Sequence, residues 1–452
     1  DRWLWSAERV RWARRLAAGM CRFPTLDALR ASRLWSREAA RLERFLDTVQ
    51  TGSPGEGRGA HARPLEQREA HARPLARREG GGDGDGAGGR LRVVHWNILK
   101  GLSLDGLTRW LAEHPRLVDP DLLLLNEVDV GMARSGNLHV GAEIAARLNL
   151  HWSFLANYFE LTKGPGEDSL APGENRIGLQ GVAILSRRPP RRLRRVPLPE
   201  CFDMFAFHEQ RFGGRAALLA SFEDGLIVAA VHLEVRHTPA CRAAQMRALL
   251  EGIEEFAVEL ERAGQPARAV LIGGDFNTHT FARGSVAASI RGILRILTTP
   301  AAALHRQLME PWRAGREPLF AQLSRCGYGW KELNDRRPTA QERLGNVEEL
   351  QILPRTLRGP VARLLRLRER RIELRLDWFA GRGLHGVSGD ADLEGGEVRT
   401  EPRSGARSVS AGEEALRGPR GDLLAETIGN IRAGGLPSDH LPITLEIPSA
   451  SG

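Results

Sequence analysis

The chain has 452 residues, 42% hydrophobic and 27% charged, a balance that fits a globular protein of one large or two to three smaller domains. Its longest apolar runs, such as Leu122–Leu125 and Leu226–Val231, fall far short of the roughly 20 residues of a membrane-crossing helix. A net charge of +9 and a pI near 10.2 suit a polyanionic partner, nucleic acid or an anionic lipid surface; yet all but Lys100, Lys163 and Lys331 of the 65 basic residues are arginine, a skew that a GC-rich coding sequence also produces.

The first residues are charged and Trp-rich, without the apolar core and small-residue cleavage site of a secretory signal. Cys21, Cys201, Cys241 and Cys326 are widely scattered and form no CxxC pair, so four free thiols in a reducing cytoplasm are expected. Residues 1–50 read as a helical extension of two helices parted near Pro24. Trp5, Trp12, Leu16 and Met20 share one face of the first, and Leu42, Phe45, Leu46 and Val49 one face of the second. This extension is expected to pack on its own catalytic domain; a membrane surface is the rival partner for its Trp/Arg faces. Residues 51–90 read as a disordered linker, with Ala-His-Ala-Arg-Pro-Leu repeated at 60–65 and 70–75 ahead of a Gly/Asp run.

Order is expected from Leu91 onward. Arg92–Asn97 is a strand ending in an amide, Leu104–His114 an amphipathic helix, and Asp121–Glu127 a buried strand ending in a carboxylate. Val140–Leu148 reads as a helix and Gly181–Ser186 as a strand. Ala216–Ser221 and Leu226–Leu233 form a hairpin carrying His232, and Ala243–Ala263 is a long helix. Ala269–Ile272 is a short buried strand, after which Gly273 and Gly274 are read as a tight turn presenting Asp275 and Asn277. Helices are expected over Val286–Leu297, Leu319–Cys326 and Pro360–Arg368, within an insertion at about 285–370. Arg371–Phe379 alternates like one half-buried strand with Asp377 in its apolar register. Residues 385–420 read as a flexible loop, and Pro437–Leu445 as a turn entering a last strand.

Asn97, Glu127, His232, Asp275, Asn277, Asp377, Asp439 and His440 thus sit at or beside strand ends, in a chain where strands alternate with amphipathic helices. Singly, each has an ordinary role as turn, cap or core residue. Together, the oxygen donors Asn97, Glu127, Asp275 and Asp439, without thiolate, suit Mg²⁺, with Mn²⁺ as a substitute, rather than zinc. The histidines are left for proton transfer and charge stabilisation.

Trp96-Asn97, Asn126-Glu127, Val231-His232-Leu233, Gly274-Asp275-Phe276-Asn277, Leu376-Asp377-Trp378 and Ser438-Asp439-His440-Leu441-Pro442 resemble the ordered motifs of the endonuclease/exonuclease/phosphatase superfamily. The resemblance spans about 91–446 and implies a catalytic domain of α/β class. Its implied architecture is DNase I-like: a four-layer α/β/β/α sandwich of two facing mixed sheets. It further implies Glu127 as a direct metal ligand, with Asn97 and Asp439 beside it. His440 would be held by Asp377, Asp275 and Asn277 would handle the attacking water, and His232 would stabilise transition-state charge. Val182 stands where the family often has Asn, and the Asn-Gly-Leu-Arg run of abasic endonucleases is replaced by Asn97-Ile98-Leu99-Lys100-Gly101. The implied activity is hydrolysis of a phosphodiester, with nucleic acid the favoured substrate. A phospholipid or inositol-phosphate phosphohydrolase is the rival, and residues 1–50 would then meet the membrane.

Overall fold

The computed structural model describes residues 6–54, 90–207, 209–283, 285–343, 350, 353–366, 371–384, 426–427 and 436–448. The expected linker, from residue 55, and the expected loop at 385–420 lie outside the described residues, as do Trp5 and the two tandem histidines.

In chain order the strands are β1 (Gln50–Gly52), β2 (Arg90–Asn97), β3 (Leu122–Val130), β4 (His151–Glu160), β5 (Leu179–Ser186), β6 (Arg192–Pro197), β7 (Arg211–Gly213) and β8 (Ala216–Ser221). They continue with β9 (Leu226–His232), β10 (Ala269–Asp275), β11 (Ala340–Arg343), β12 (Arg371–Leu374), β13 (Asp377–Arg382), β14 (Glu426–Thr427) and β15 (Ile443–Pro448). Of the two large sheets, one runs β1-β4-β5-β3-β2-β15-β14, with β7 also on β4, and the other β13-β10-β9-β8-β6; β11 and β12 pair apart from both. Each large sheet is antiparallel apart from one parallel pair: β2 with β3, and β9 with β10.

The apolar runs explain the layering. Along β3, Leu122 and Leu124 face the other sheet, whereas Leu123 and Leu125 face helices, so a continuous leucine run buries both faces. The inter-sheet core joins Val93, Leu124, Leu155 and Ile184 to Leu218, Val228, Leu271 and Phe379. Outside the first sheet lie α1 (Ala7–Met20), α2 (Leu26–Arg30), α3 (Arg33–Asp47), α4 (Leu104–Glu113) and α5 (Val140–Leu148), all contributing to one core with Trp96 and Phe154. Outside the second, α6 (Pro239–Arg262) and Leu319–Arg325 bury Met246, Ile253, Phe256 and Phe320 against Ile227, Val231 and Ile272. The result is the expected α/β/β/α sandwich.

The N-terminal helices are built into it. Trp12, Leu16, Met20, Leu42, Phe45 and Leu46 are buried, and β1, read from sequence as the start of the linker, adds a strand to β4. The segment expected to be an insertion has a small core, in which Ile293, Ile296, Leu304, Leu308 and Leu365 meet Leu374 and Leu376.

Three expectations need correction. Gly273 and Gly274 do not turn but lie inside β10, and their missing Cβ matters for packing. A Cβ on Gly274 would stand 2.0 Å from the Val231 carbonyl oxygen, and one on Gly273 2.6 Å from Leu124 Cδ1. Arg371–Phe379 is not one strand: the chain breaks at Arg375-Leu376, with β12 pairing β11 and β13 entering the second sheet beside β10. The cysteines are not four free thiols either, because Cys201 and Cys241 form a disulfide across 40 residues, leaving Cys21 and Cys326 free. That pairing removes the support that thiol counting lent to a cytoplasmic location.

Candidate active site

The two parallel pairs end at one place. Asn97 at the end of β2 is in register with Asn126 of β3, and His232 at the end of β9 is in register with Asp275 of β10. On the far side of β10, Asp275 faces Asp377, the first residue of β13. Asp439 and His440 lie just ahead of β15, whose Ile443 pairs with His95. Strand direction alone therefore gathers the motif residues at one edge of the sandwich.

Local backbone then aims them. The pairing of β3 with β5 shifts register between Leu125 and Val128, and inside that bulge Glu127 takes a left-handed conformation at φ 55°. Asn277 is left-handed too, at φ 52°. Such backbone at a non-glycine residue costs on the order of 1 kcal/mol or more and persists where surrounding bonds enforce it. Here Asn277 N–H donates to Asp275 Oδ1 at 2.8 Å, and its side-chain amide donates to the Leu233 carbonyl at 2.9 Å.

Asp275 is the hub. Its backbone N–H donates to Asn126 Oδ1 at 2.8 Å, and Asn97 Nδ2 donates to its Oδ2 at 3.1 Å and to Glu127 Oε1 at 3.2 Å. His232 Nε2 and His440 Nε2 stand 3.4 and 3.8 Å from the same Oδ2. Asn97 thus enters as a hydrogen-bond donor tying two carboxylates together, while its own oxygen accepts from Leu99 N–H at 3.2 Å. Behind His440, Asp377 Oδ2 lies 2.7 Å from its Nδ1, and Asp377 Oδ1 lies 2.9 Å from His95 Nε2. Thr339 clamps the arrangement: its hydroxyl accepts from the Leu376 and Asp377 amides, and its carbonyl accepts from Leu441 N–H.

Charge follows from these contacts. Burial pushes the Asp275 carboxyl up to about 7, with His440 opposing and Asp377 assisting. Burial would also raise Asp377, but His440 and then His95 hold it well below the usual carboxylate range. For His440, burial works against protonation, yet Asp377 and Asp275 raise it well above an ordinary imidazole. His232 is lowered well below its ordinary value by burial and by Arg215. These directions favour the charged imidazole at His440 facing the Asp377 carboxylate, and the neutral imidazole at His232.

These groups line a cavity of about 380 Å³ that also takes in Glu127, Asn277 and Asp439, while Asn97 and Asp377 sit behind the wall. Lys100, Arg211, Arg215, Arg236 and Arg283 line it as well. Arg215 is 8% exposed, lies 3.8 Å from Glu234 and leaves its buried Nε without a hydrogen bond. Sequence reasoning missed Arg215, Thr339 and His95. Strand-end position marked the other residues, but nothing in spacing marks a cross-sheet neighbour.

Among the described residues, the three acidic or histidine groups close enough to share one ion are Asp275, Asp377 and His440, with ligand atoms within 4.8 Å of one another. Both Asp377 oxygens already face imidazoles, so that group is committed to hydrogen bonding. The donor chemistry of Glu127 and Asp439, two carboxylates on one cavity wall with no thiolate, does fit a hard divalent cation.

The family model described as Endonuclease/Exonuclease/phosphatase family matches residues 94–342. The chain belongs to this family. Its members are hydrolases acting on phosphoric ester bonds, and so is this protein. No curated protein matches the chain. Among solved structures it is similar to an endonuclease/exonuclease/phosphatase from Beutenbergia cavernae DSM 12333, at 14% identity over 79% of this chain and 71% of that one (TM-score 0.38). It is also similar to the human Nocturnin catalytic domain with bound sulfate anion, at 14% identity over 79% and 93% (TM-score 0.38). A third is the 3' phosphatase NExo from Neisseria bound to product DNA hairpin, at 16% identity over 79% and 99% (TM-score 0.39).

Proposed function

We propose that this family member is a Mg²⁺-dependent phosphoesterase that hydrolyses a phosphodiester by in-line attack of water, with nucleic acid as its substrate. Residues 91–446 would be the catalytic unit, with 285–370 as an insertion and 1–50 as a structural extension. The observation that carries the reading is the setting of Asp275: its carboxyl faces the cavity, with one oxygen held by a backbone amide and the other approached by Asn97, His232 and His440. A carboxylate so held is placed to accept a proton from an attacking water in the cavity.

Glu127 and Asp439, with Asn97 bridging to Asp275, would hold the metal, which supplies charge neutralisation at the phosphate and leaving oxygen. The chain's own residues do the rest. Asn277 fixes Asp275 through its backbone amide. His440, kept protonated by Asp377, presents Nε2–H to a developing phosphoryl charge, and His232 presents a neutral imidazole to the same space. Arg215, with its guanidinium incompletely paired at the cavity wall, is suited to a phosphate oxygen.

The cavity's mixed lining, with Arg215 incompletely paired, suits a phosphate group, and the chain's net charge of +9 favours nucleic acid as its bearer. One observation favours the lipid or inositol-phosphate alternative: in the insertion, Val286, Ile290 and Leu294 repeat at helical spacing on an exposed face, and Leu357 and Leu364 are exposed on Arg355–Arg366. The apolar faces of α1 and α3 are by contrast used up in the core. The deciding assay measures Mg²⁺-dependent hydrolysis of plasmid DNA, oligonucleotides, sphingomyelin vesicles and inositol phosphates. Salt should weaken turnover of the preferred nucleic acid. Asp275→Ala and His440→Ala should each lower turnover by about 10²-fold or more while the protein stays folded. Undiminished activity in EDTA, or near-normal activity in either variant, would overturn the mechanism.

A further inference from the structure

We propose that His95 is a positioning residue that fixes the Asp377–His440 pair, so that the site works through three aligned groups rather than two. The proposal rests on the phosphoesterase reading above and adds a residue that no strand-end motif contains.

Asp377 is fully buried with an imidazole on each oxygen: His95 Nε2 at 2.9 Å from Oδ1 and His440 Nδ1 at 2.7 Å from Oδ2. A carboxylate held on one oxygen can still rotate about its Cβ–Cγ bond. Donors on both oxygens fix its plane, and with it the ring it orients. His95 is well placed to act as a fixed post. It lies on β2, hydrogen-bonded between β3 and β15, where it pairs with Leu124 on one side and Ile443 on the other. Its ring is fully buried and stands edge-on to Phe379 of the opposite sheet, with centroids 6.5 Å apart.

The other ring nitrogen strengthens the case. His95 Nδ1 is buried and has no hydrogen-bond partner. An unpaired buried polar atom is destabilising, and an aliphatic side chain in the same space would avoid that cost. The contact with Asp377 is therefore the one polar service this ring performs among the described residues, and it is directed at the group behind His440. With both oxygens occupied, Asp377 is also kept from turning toward Asp275, whose carboxyl lies in the same cluster. His95 acts through Asp377 and His440 and does not itself line the cavity.

The test compares His95→Gln with His95→Asn. A glutamine amide nitrogen reaches close to the position of Nε2 and can donate to Asp377. An asparagine amide falls near Nδ1 and cannot. His95→Asn should lower kcat about tenfold to hundredfold, the usual range for losing a partner that orients a reacting group, with KM within about twofold. His95→Gln should recover most of kcat. A role confined to polarity or packing would move both variants alike, so equal kcat in the two, whether impaired or intact, overturns the proposal. A second readout needs no turnover. In histidine-labelled protein, the low-field N–H proton of His440 should persist in wild type and His95→Gln and move upfield in His95→Asn. An unmoved resonance in folded His95→Asn also overturns the proposal. If no substrate is hydrolysed even by wild type, this resonance still reports on His95, so failure of the phosphoesterase reading is separable from failure of the positioning role.

Discussion

His139 shows how one buried side chain couples stability to pH. It caps α5, with Nδ1 accepting from the Ala142 amide at 3.2 Å, and packs against Trp152 and Phe154. Burial lowers its pKa from 6.5 to about 3, while the unfolded chain protonates it near the ordinary value. Between those two values the unfolded state binds the extra proton. Stability contributed here is therefore full above about 6.5 and falls as pH drops toward 3, by up to about 1.4 kcal/mol per pH unit. Burial lowers His232 and His279 in the same direction, which steepens the trend. His139→Asn retains a capping oxygen without the titrating ring, so its urea midpoint should fall less between pH 7 and pH 5 than that of wild type. Equal losses in the two proteins would refute the assignment. Most of the site residues were legible at this scale because Asn97, His232 and Asp275 each end an apolar strand and Glu127 follows the leucine run of another, while Asp377 begins a strand and Asp439 and His440 stand just ahead of one. His95 was not legible: it sits inside such a run, and its partner Asp377 is 282 residues away.

At the scale of elements, hydrophobic periodicity predicted Val140–Leu148, the β8–β9 hairpin and the long helix ahead of β10. It failed where chain path depends on tertiary pairing. Arg371–Phe379 keeps one alternating pattern across a break between two sheets, because period-2 burial is the same whichever partner strand supplies it. Gly273-Gly274 looked like a turn because glycine is the usual turn residue, whereas here it permits close strand approach. That difference has a measurable result. In Gly274→Ala the new Cβ meets the Val231 carbonyl at 2.0 Å, so β9 and β10 must separate where His232 and Asp275 are in register. The variant should lose roughly 2 kcal/mol or more of stability and most of its turnover. A variant with parental melting temperature and kcat would show that the strand can shift without cost.

The molecule as a whole closes around its N-terminal helices. Trp12, Leu16, Met20, Leu29, Leu42, Phe45 and Leu46 are buried in the same cluster as Trp96 and Phe154, and β1 covers the edge of β4. At roughly 1.5–3 kcal/mol per large apolar side chain, their removal costs about as much as the 5–15 kcal/mol that stabilises a whole domain. Deleting residues 1–54 should therefore give insoluble or unfolded protein; a soluble truncation with unchanged melting temperature would contradict this packing. The sequence supported an extension that packs, but not the added strand, since three residues of β1 are too few for a periodic signal. The disulfide was illegible for a similar reason, as 40 residues separate its cysteines and no local spacing marks the pair.

The order of strands in the first sheet also bears on how the protein is made. β15 lies beside β2, inside the sheet rather than at its rim, and the segment just before it carries Asp439 and His440. During synthesis, the strands bearing Asn97, Glu127, His232, Asp275 and Asp377, in both sheets, all emerge before β15, which completes the first sheet. A nascent chain thus carries every other motif while still lacking the imidazolium and the last carboxylate. On the reading proposed above, the site is therefore complete only once residues 439–448 have inserted next to β2, which makes this closing segment the step that couples the end of folding to activity.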